Sequence, residues 1–234
     1  MPDPAGRAGP LAVLVLALAA ALAGCAPTVQ AGAARAAVSA DRAGRSPSLA
    51  AARQLITVTA PSYSSTYATL RAYRVSGGQR VLVFGPWTAR VGYNGVARPG
   101  QKREGDGRTP SGTYGFSFFF GVQRKLRFAY PFRHAFGYDY WDDDPASRRY
   151  NEWVNARRHD PGADPEPMHQ VPAYDYAAVI AYNTARVPGR GSAIFLHVGT
   201  GSATAGCVSL PQDRLLAVLR WLRSQDHPRI TISG

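Results

Sequence analysis

From Leu55 onward the chain is a succession of short runs rich in β-branched and aromatic residues, each closed by a turn signal. The runs are Leu55–Thr59, Tyr67–Val75, Arg80–Phe84, Thr88–Tyr93, Thr113–Phe120, Ala177–Tyr182, Ala193–Val198 and Arg229–Ile232. Gly77-Gly78, Asn94-Gly95 and Pro99-Gly100 separate several of them, which is hairpin and turn chemistry. Runs of this length and content read as strands. The pattern predicts a mainly β fold with a few helices, a sheet sandwich rather than a doubly wound parallel sheet. One helix is well marked. Ser209-Leu210-Pro211-Gln212 has capping-box spacing, with Ser209 as N-cap, and Leu215, Leu219 and Leu222 form a stripe one turn apart. The stretch from Tyr138 to Pro172 is rich in Asp, Pro and Arg. It predicts a long surface loop or lid holding a short helix around Arg148–Arg157.

The first 24 residues have a different character. A basic start at Arg7 precedes the apolar run Leu11–Leu18 and then small residues up to Cys25. The run is short for a permanent membrane span and fits the apolar region of a signal peptide. Leu22-Ala23-Gly24-Cys25 resembles a bacterial lipobox, which implies lipidation of Cys25 and anchoring to the outer face of the cell membrane. Residues 25–53 are rich in Ala, Arg, Gly and Ser and read as a flexible tether, because they have too little apolar surface to offset the entropy of ordering. Residues 54–234 then form one globular domain, long enough for a sizeable core.

Charge and cysteine count narrow the partners. The formal net charge is +12, and Lys102 and Lys125 are the only lysines. Export argues against nucleic acid, leaving anionic membrane, wall polymers or carboxylate-bearing peptides as partners. With Cys25 lipidated, Cys207 has no intramolecular partner in an oxidising compartment. It is either a buried, inert core cysteine or a working thiol. Its surroundings favour work. The apolar segment Ala193–Leu196 delivers His197 at a strand end, and a polar loop then leads to Thr204-Ala205-Gly206-Cys207. Such a loop closes easily, so imidazole and thiol can meet as base and nucleophile. A helix starting at Ser209 would favour a thiolate at its N-terminus, and amides near Gly206 and Cys207 would face a developing oxyanion.

The same segment resembles the signature of the L,D-transpeptidase catalytic domain, the YkuD-like family, in which a strand-end histidine precedes a Ser/Thr-x-Gly-Cys element. Glu104–Tyr114, Tyr150-Asn151, Glu166–Met168 and Val179–Asn183 resemble that family in matching order, over roughly Gln54 to Gly234. The resemblance implies a cysteine enzyme acting on peptidoglycan stem peptides without a cofactor or metal, with carbapenem β-lactams as covalent inhibitors. Carried over, Cys207 is the nucleophile and His197 the base. Gly206, Thr204, Thr200, Gly199, Ser209, Arg108, Tyr182 and Asn183 are the candidate oxyanion and substrate residues, with a backbone carbonyl around Gly199 or Thr200 orienting His197. The sequence departs from the family pattern at Ala205, Val198 and Ser209. A hydrolase resolving the same thioester with water, and a wall-binding lipoprotein without catalysis, are the alternatives.

Other signals point to ordinary structure. Gly105–Thr109 lacks the Gly-Lys-Ser/Thr of a phosphate loop and reads as a tight turn. Asp142-Asp143-Asp144 lacks the alternation of a calcium loop. His134, His159 and His169 lack zinc-ligand spacing. Tyr140, Trp141 and Trp153 read as core aromatics or as walls of a cleft.

Overall fold

A computed structural model describes residues 52–234. The apolar leader, Cys25 and nearly all of the tether therefore lie outside the described residues.

In chain order the first strands are β1 (Gln54–Thr59), β2 (Tyr67–Ser76), β3 (Gln79–Arg90), β4 (Val96–Ala97), β5 (Thr109–Pro110), β6 (Gly112–Tyr114), β7 (Phe116–Gly121) and β8 (Phe132–His134). Next come β9 (Asp139–Trp141), β10 (Trp153–Asn155), β11 (Glu166–Pro167), β12 (Ala177–Ile180), β13 (Phe195–Val198) and β14 (Val208–Leu210). Helix α1 (Gln212–Trp221) and β15 (Arg229–Ser233) complete the fold. Ten strands form one curled sheet in the order β6-β15-β1-β2-β3-β14-β13-β12-β7-β8. The mainly β architecture read from the sequence is what the chain adopts.

Local chemistry explains several of these elements. Gly77 and Gly78 both have positive φ, 54° and 77°, and close the β2–β3 hairpin between the paired Ser76 and Gln79. Two consecutive positive φ angles match the twist of a tight hairpin and are costly for any residue with a Cβ. Arg80–Phe84 and Thr88–Tyr93, expected as two strands, are largely one. β3 runs from Gln79 to Arg90 and absorbs the interruption as register irregularities opposite Leu70–Tyr73. Thr113–Phe120 does the reverse. It breaks at Gly115, and its halves β6 and β7 pair near opposite edges of the sheet.

Both faces of the central strands are buried, so period-2 alternation feeds two separate cores. Leu196, Val198, Val208 and Leu210 point to one face, where Leu215, Val218 and Leu219 of α1 cover them. Each such aliphatic side chain, fully removed from water, contributes ~1.5–3 kcal/mol. Phe195 and Ala177 point to the other face, against Phe120, Trp141, Met168 and Tyr174. That second face carries the polar residues of interest.

Two expected helical features are absent. Ser209 is not an N-cap: it lies inside β14, and α1 begins after Pro211 with no side-chain cap. The alternation of Val208 and Leu210 in a buried parallel pairing with β13 outweighs the local capping signal. Nor is there a helix around Arg148–Arg157. The Asp142 carboxylate accepts hydrogen bonds from Asp144 N and Ser147 Oγ and folds that stretch into turns. Trp153–Asn155 then pairs with β9, in a small sheet of order β10-β9-β11.

Candidate active site

A cleft of about 390 Å³ opens on the second face, lined by both His197 and Cys207. His197 sits mid-strand in β13, paired with Ala177 on β12 and with Ser209 on β14. Alternation puts His197 on the same face as Phe195, and register puts Ser209 beside it. Cys207 arrives at the end of the loop between β13 and β14. That loop is strapped to the end of β3: Thr204 N donates to Val91 O (2.9 Å) and Tyr93 N to Thr204 O (2.7 Å).

The residue holding the thiol is clamped from both sides. The Cys207 carbonyl accepts from Thr204 Oγ1 (2.7 Å) and Thr109 Oγ1 (3.0 Å), and Thr109 Oγ1 itself accepts from Gly92 N (2.9 Å). Gly206 has φ +150°, and a Cβ there would lie 3.1 Å from the Arg108 carbonyl oxygen. Only glycine suits that place.

The resting thiol is neutral and protein-bonded. Its S–H donates to Ala193 O (3.3 Å), and the sulfur accepts from Phe195 N (3.3 Å). Burial pushes the Cys207 thiol up from its ordinary 9.0 to about 12. The Phe195 N–H opposes this, the Glu166 and Asp143 carboxylates add to it, and Lys102 offsets it. Burial holds His197 down at about 4, against partial compensation by the Val198 and Ala173 carbonyls. Its Nδ1 lies 2.8 Å from Val198 O. A carbonyl only accepts, so Nδ1 carries the proton and Nε2 keeps the lone pair in the neutral ring. Tyr174 packs edge-on against the ring, with centroids 5.6 Å apart. The orienting carbonyl expected around Gly199 or Thr200 is thus that of Val198.

The expected help from a helix N-terminus is missing, because β14 separates Cys207 from α1.

Three carboxylates line the same cleft: Glu104, Asp143 and Glu166. Glu104 accepts from Tyr150 OH and from Ser192 Oγ (2.7 Å). Ser192 Oγ also lies 2.7 Å from Asp143 Oδ1. Glu166 accepts from Tyr174 OH (2.9 Å) and from Gln170 Nε2. Burial lifts the Asp143 carboxyl from 3.8 to about 7; the Ser192 bond opposes this, and repulsion from Glu104, Glu166 and Asp142 assists it. Burial raises Glu166 as well.

Of the other residues expected at the site, Thr200, Thr204, Gly206 and Ser209 line the cleft; Gly199, Arg108, Tyr182 and Asn183 do not. Gly199 N is bonded to Leu210 O. Arg108 contributes its backbone, which packs against Gly206, while its N–H donates to Asp106. Tyr182 OH donates to Arg190 O, and Asn183 braces the turn to Gly191 through Val187 and Gly191 carbonyls. Trp141 and Trp153 pack in the second core, and His134, His159 and His169 are exposed. Among the described residues no three acidic, histidine or cysteine side chains are placed to hold a metal ion. Sequence reasoning missed Thr109, Tyr174, Ser192 and the three carboxylates as parts of the site.

The family model described as the L,D-transpeptidase catalytic domain, YkuD, matches residues 62–232. Among solved structures, the helical cell shape determining protein Pgp2 from Campylobacter jejuni is similar, with 14% identity over 76% of this chain and a TM-score of 0.35. The match spans 46% of that protein's chain. No curated protein matches.

Proposed function

Since the chain belongs to the L,D-transpeptidase catalytic domain (YkuD) family, we propose that it is a peptidoglycan L,D-transpeptidase with Cys207 as nucleophile and His197 as general base. The observation that carries this reading is the convergence of a clamped thiol and an imidazole of fixed tautomer on one cleft. The free Nε2 lone pair suits proton acceptance, and a neutral pair becomes reactive when substrate displaces the thiol from Ala193 O.

In the first half-reaction His197 Nε2 takes the thiol proton as sulfur attacks the carbonyl between the diamino-acid residue and D-alanine of a tetrapeptide stem. The C–N bond breaks, the imidazolium returns its proton to the leaving amine, and a thioester remains. In the second, an amine of a neighbouring stem loses a proton to His197 and attacks the thioester. The C–S bond breaks and the thiol is restored. Water in place of the amine gives the carboxypeptidase outcome with the same acyl-enzyme. Export and anchoring through Cys25 complete the proposal and place the cleft at the wall.

Purified protein incubated with tetrapeptide stems, with products resolved by mass, tests the outcome. Cross-linked dimers support transfer; shortened monomers alone replace it with hydrolysis. Wild-type protein should gain one carbapenem adduct that Cys207→Ala lacks. An intact wild-type protein without an adduct rejects the acyl-enzyme.

A further inference from the structure

We propose that Glu104, Asp143 and Glu166 form a subsite for a primary ammonium group carried by the peptide bound in the cleft. The proposal rests on the acyl-transfer reading of Cys207 and adds a determinant of substrate choice.

The chain carries +12, so an acidic pocket runs against its general charge. Three carboxylates from three separate segments line one small cleft, and none forms a salt bridge among the described residues. Lys102 also lines the cleft, but its Nζ is committed to Asp106 Oδ1 and Arg103 O, each at 2.6 Å. The donors holding the carboxylates are neutral: Tyr150, Ser192, Tyr174 and Gln170. Neutral donors position the oxygens without pairing them with a cation. Ser192 has one hydroxyl proton for two carboxylate oxygens at 2.7 Å, so with both acids ionised one contact lacks a hydrogen.

A second, independent observation points to a ligand in the same cleft. Ser209 lines it beside His197, is 1% exposed, and its Oγ has no hydrogen-bond partner among the described residues. A buried hydroxyl without a partner costs ~1–3 kcal/mol, which a ligand's polar atom recovers. A peptide with an ammonium group for the carboxylates and a carbonyl or carboxylate oxygen for Ser209 satisfies both. An ammonium offers three donors to spread oxygens, whereas the described residues offer no metal-binding group of three.

The subsite also bears on reactivity. Glu166 and Asp143 are among the groups that hold the Cys207 thiol protonated. An ammonium seated on them cancels that repulsion, so the correct substrate favours its own attack.

The ammonium can belong to the peptide being cut or to the acceptor that follows it. Two titrations separate these sources. In the first, Cys207→Ser protein is titrated calorimetrically with a tetrapeptide stem bearing a free side-chain amine, and with the same peptide acetylated on that amine. In the second, carbapenem-acylated wild-type protein, whose donor place is filled, is titrated with the same pair. At least tenfold tighter binding of the free amine in the first assigns the subsite to the donor; a preference confined to the second assigns it to the acceptor. Adding Asp143→Asn, or Glu166→Gln as a second variant, should bring the two peptides within threefold of each other. Equal affinities in both titrations, or a preference that survives both variants, overturns the subsite. Acylation of Cys207 reports separately on the catalytic reading, and the first titration needs no catalysis.

Discussion

Two cavities among the described residues carry opposite charge, and the proposed chemistry lies in the smaller. The larger, about 1190 Å³, runs beside the ends of β1 and β2 and is lined by Arg53, Arg74, Arg80, Arg223 and His227, with Asp226 among them. All five basic residues are exposed. The smaller, about 390 Å³, sets three partly buried carboxylates beside a buried thiol and imidazole. Water screens the arginines of the groove, so their charges act weakly on one another and on distant groups. In the cleft burial is the main cause that moves a thiol, an imidazole and a carboxyl away from their ordinary ionisation, and neighbouring carboxylates add to it for the thiol and the carboxyl. Burial, not volume, separates the proposed site from a surface groove.

The largest test of that contrast exchanges one side chain in each cavity. His197→Gln should slow carbapenem acylation of Cys207 at neutral pH by about 10²–10⁴-fold, the usual worth of a positioned base. Arg80→Gln, in the groove, should change it less than twofold. Rates are read by mass spectrometry of the intact protein. If the groove substitution slows acylation as much as the cleft substitution, the two cavities are not functionally distinct.

The next effect is on stability against pH. His197 is held at about 4 in the folded protein against an ordinary 6.5, so between those values the unfolded chain binds the extra proton. Its contribution is therefore full above pH 6.5 and falls away as pH drops towards 4, by about 3 kcal/mol at ~1.4 kcal/mol per unit. Asp143 has the opposite sign. Its folded value near 7 lies above 3.8, so the native state binds the proton more tightly and stability falls as pH rises from 4 to 7. Denaturant melts should show His197→Gln less acid-sensitive than wild type, and Asp143→Asn more so. Parallel pH curves for all three proteins would contradict this assignment of burial.

How much of this was legible in the sequence differs between elements for physical reasons. Period-2 patterning and Gly77-Gly78 announce strands and a hairpin because those signals are local. That Cys207 and His197 share a cleft was legible because strand, loop and thiol are close in sequence. Ser209 was misread because Ser-x-x-Gln is a true capping pattern that a buried parallel pairing overrides. Gly115 ends one strand and begins another near the opposite edge, and no local signal reports that. Glu104, Asp143 and Glu166 meet only through tertiary folding: one sits in the turn before β5, one follows β9 and one lies in β11. Their residue types were visible, but their convergence was not.

The smallest effect separates the cleft's scaffold from the groove's surface. Thr109 Oγ1 bridges Gly92 N and the Cys207 carbonyl in a fully buried position. Thr109→Val keeps the shape and leaves both partners without that hydroxyl, at a cost of about 1–3 kcal/mol. The melting temperature should fall by several degrees, and the acylation rate should fall with it as the Cys207 carbonyl loses one of its two clamps. Arg74→Gln removes an exposed charge that makes no described salt bridge, so its effect should stay within about 0.5 kcal/mol. Salt should shrink even that difference, because it acts through solvent. An Arg74 effect matching that of Thr109 would mean that the groove is coupled to the sheet, and the division between the two cavities would have to be redrawn.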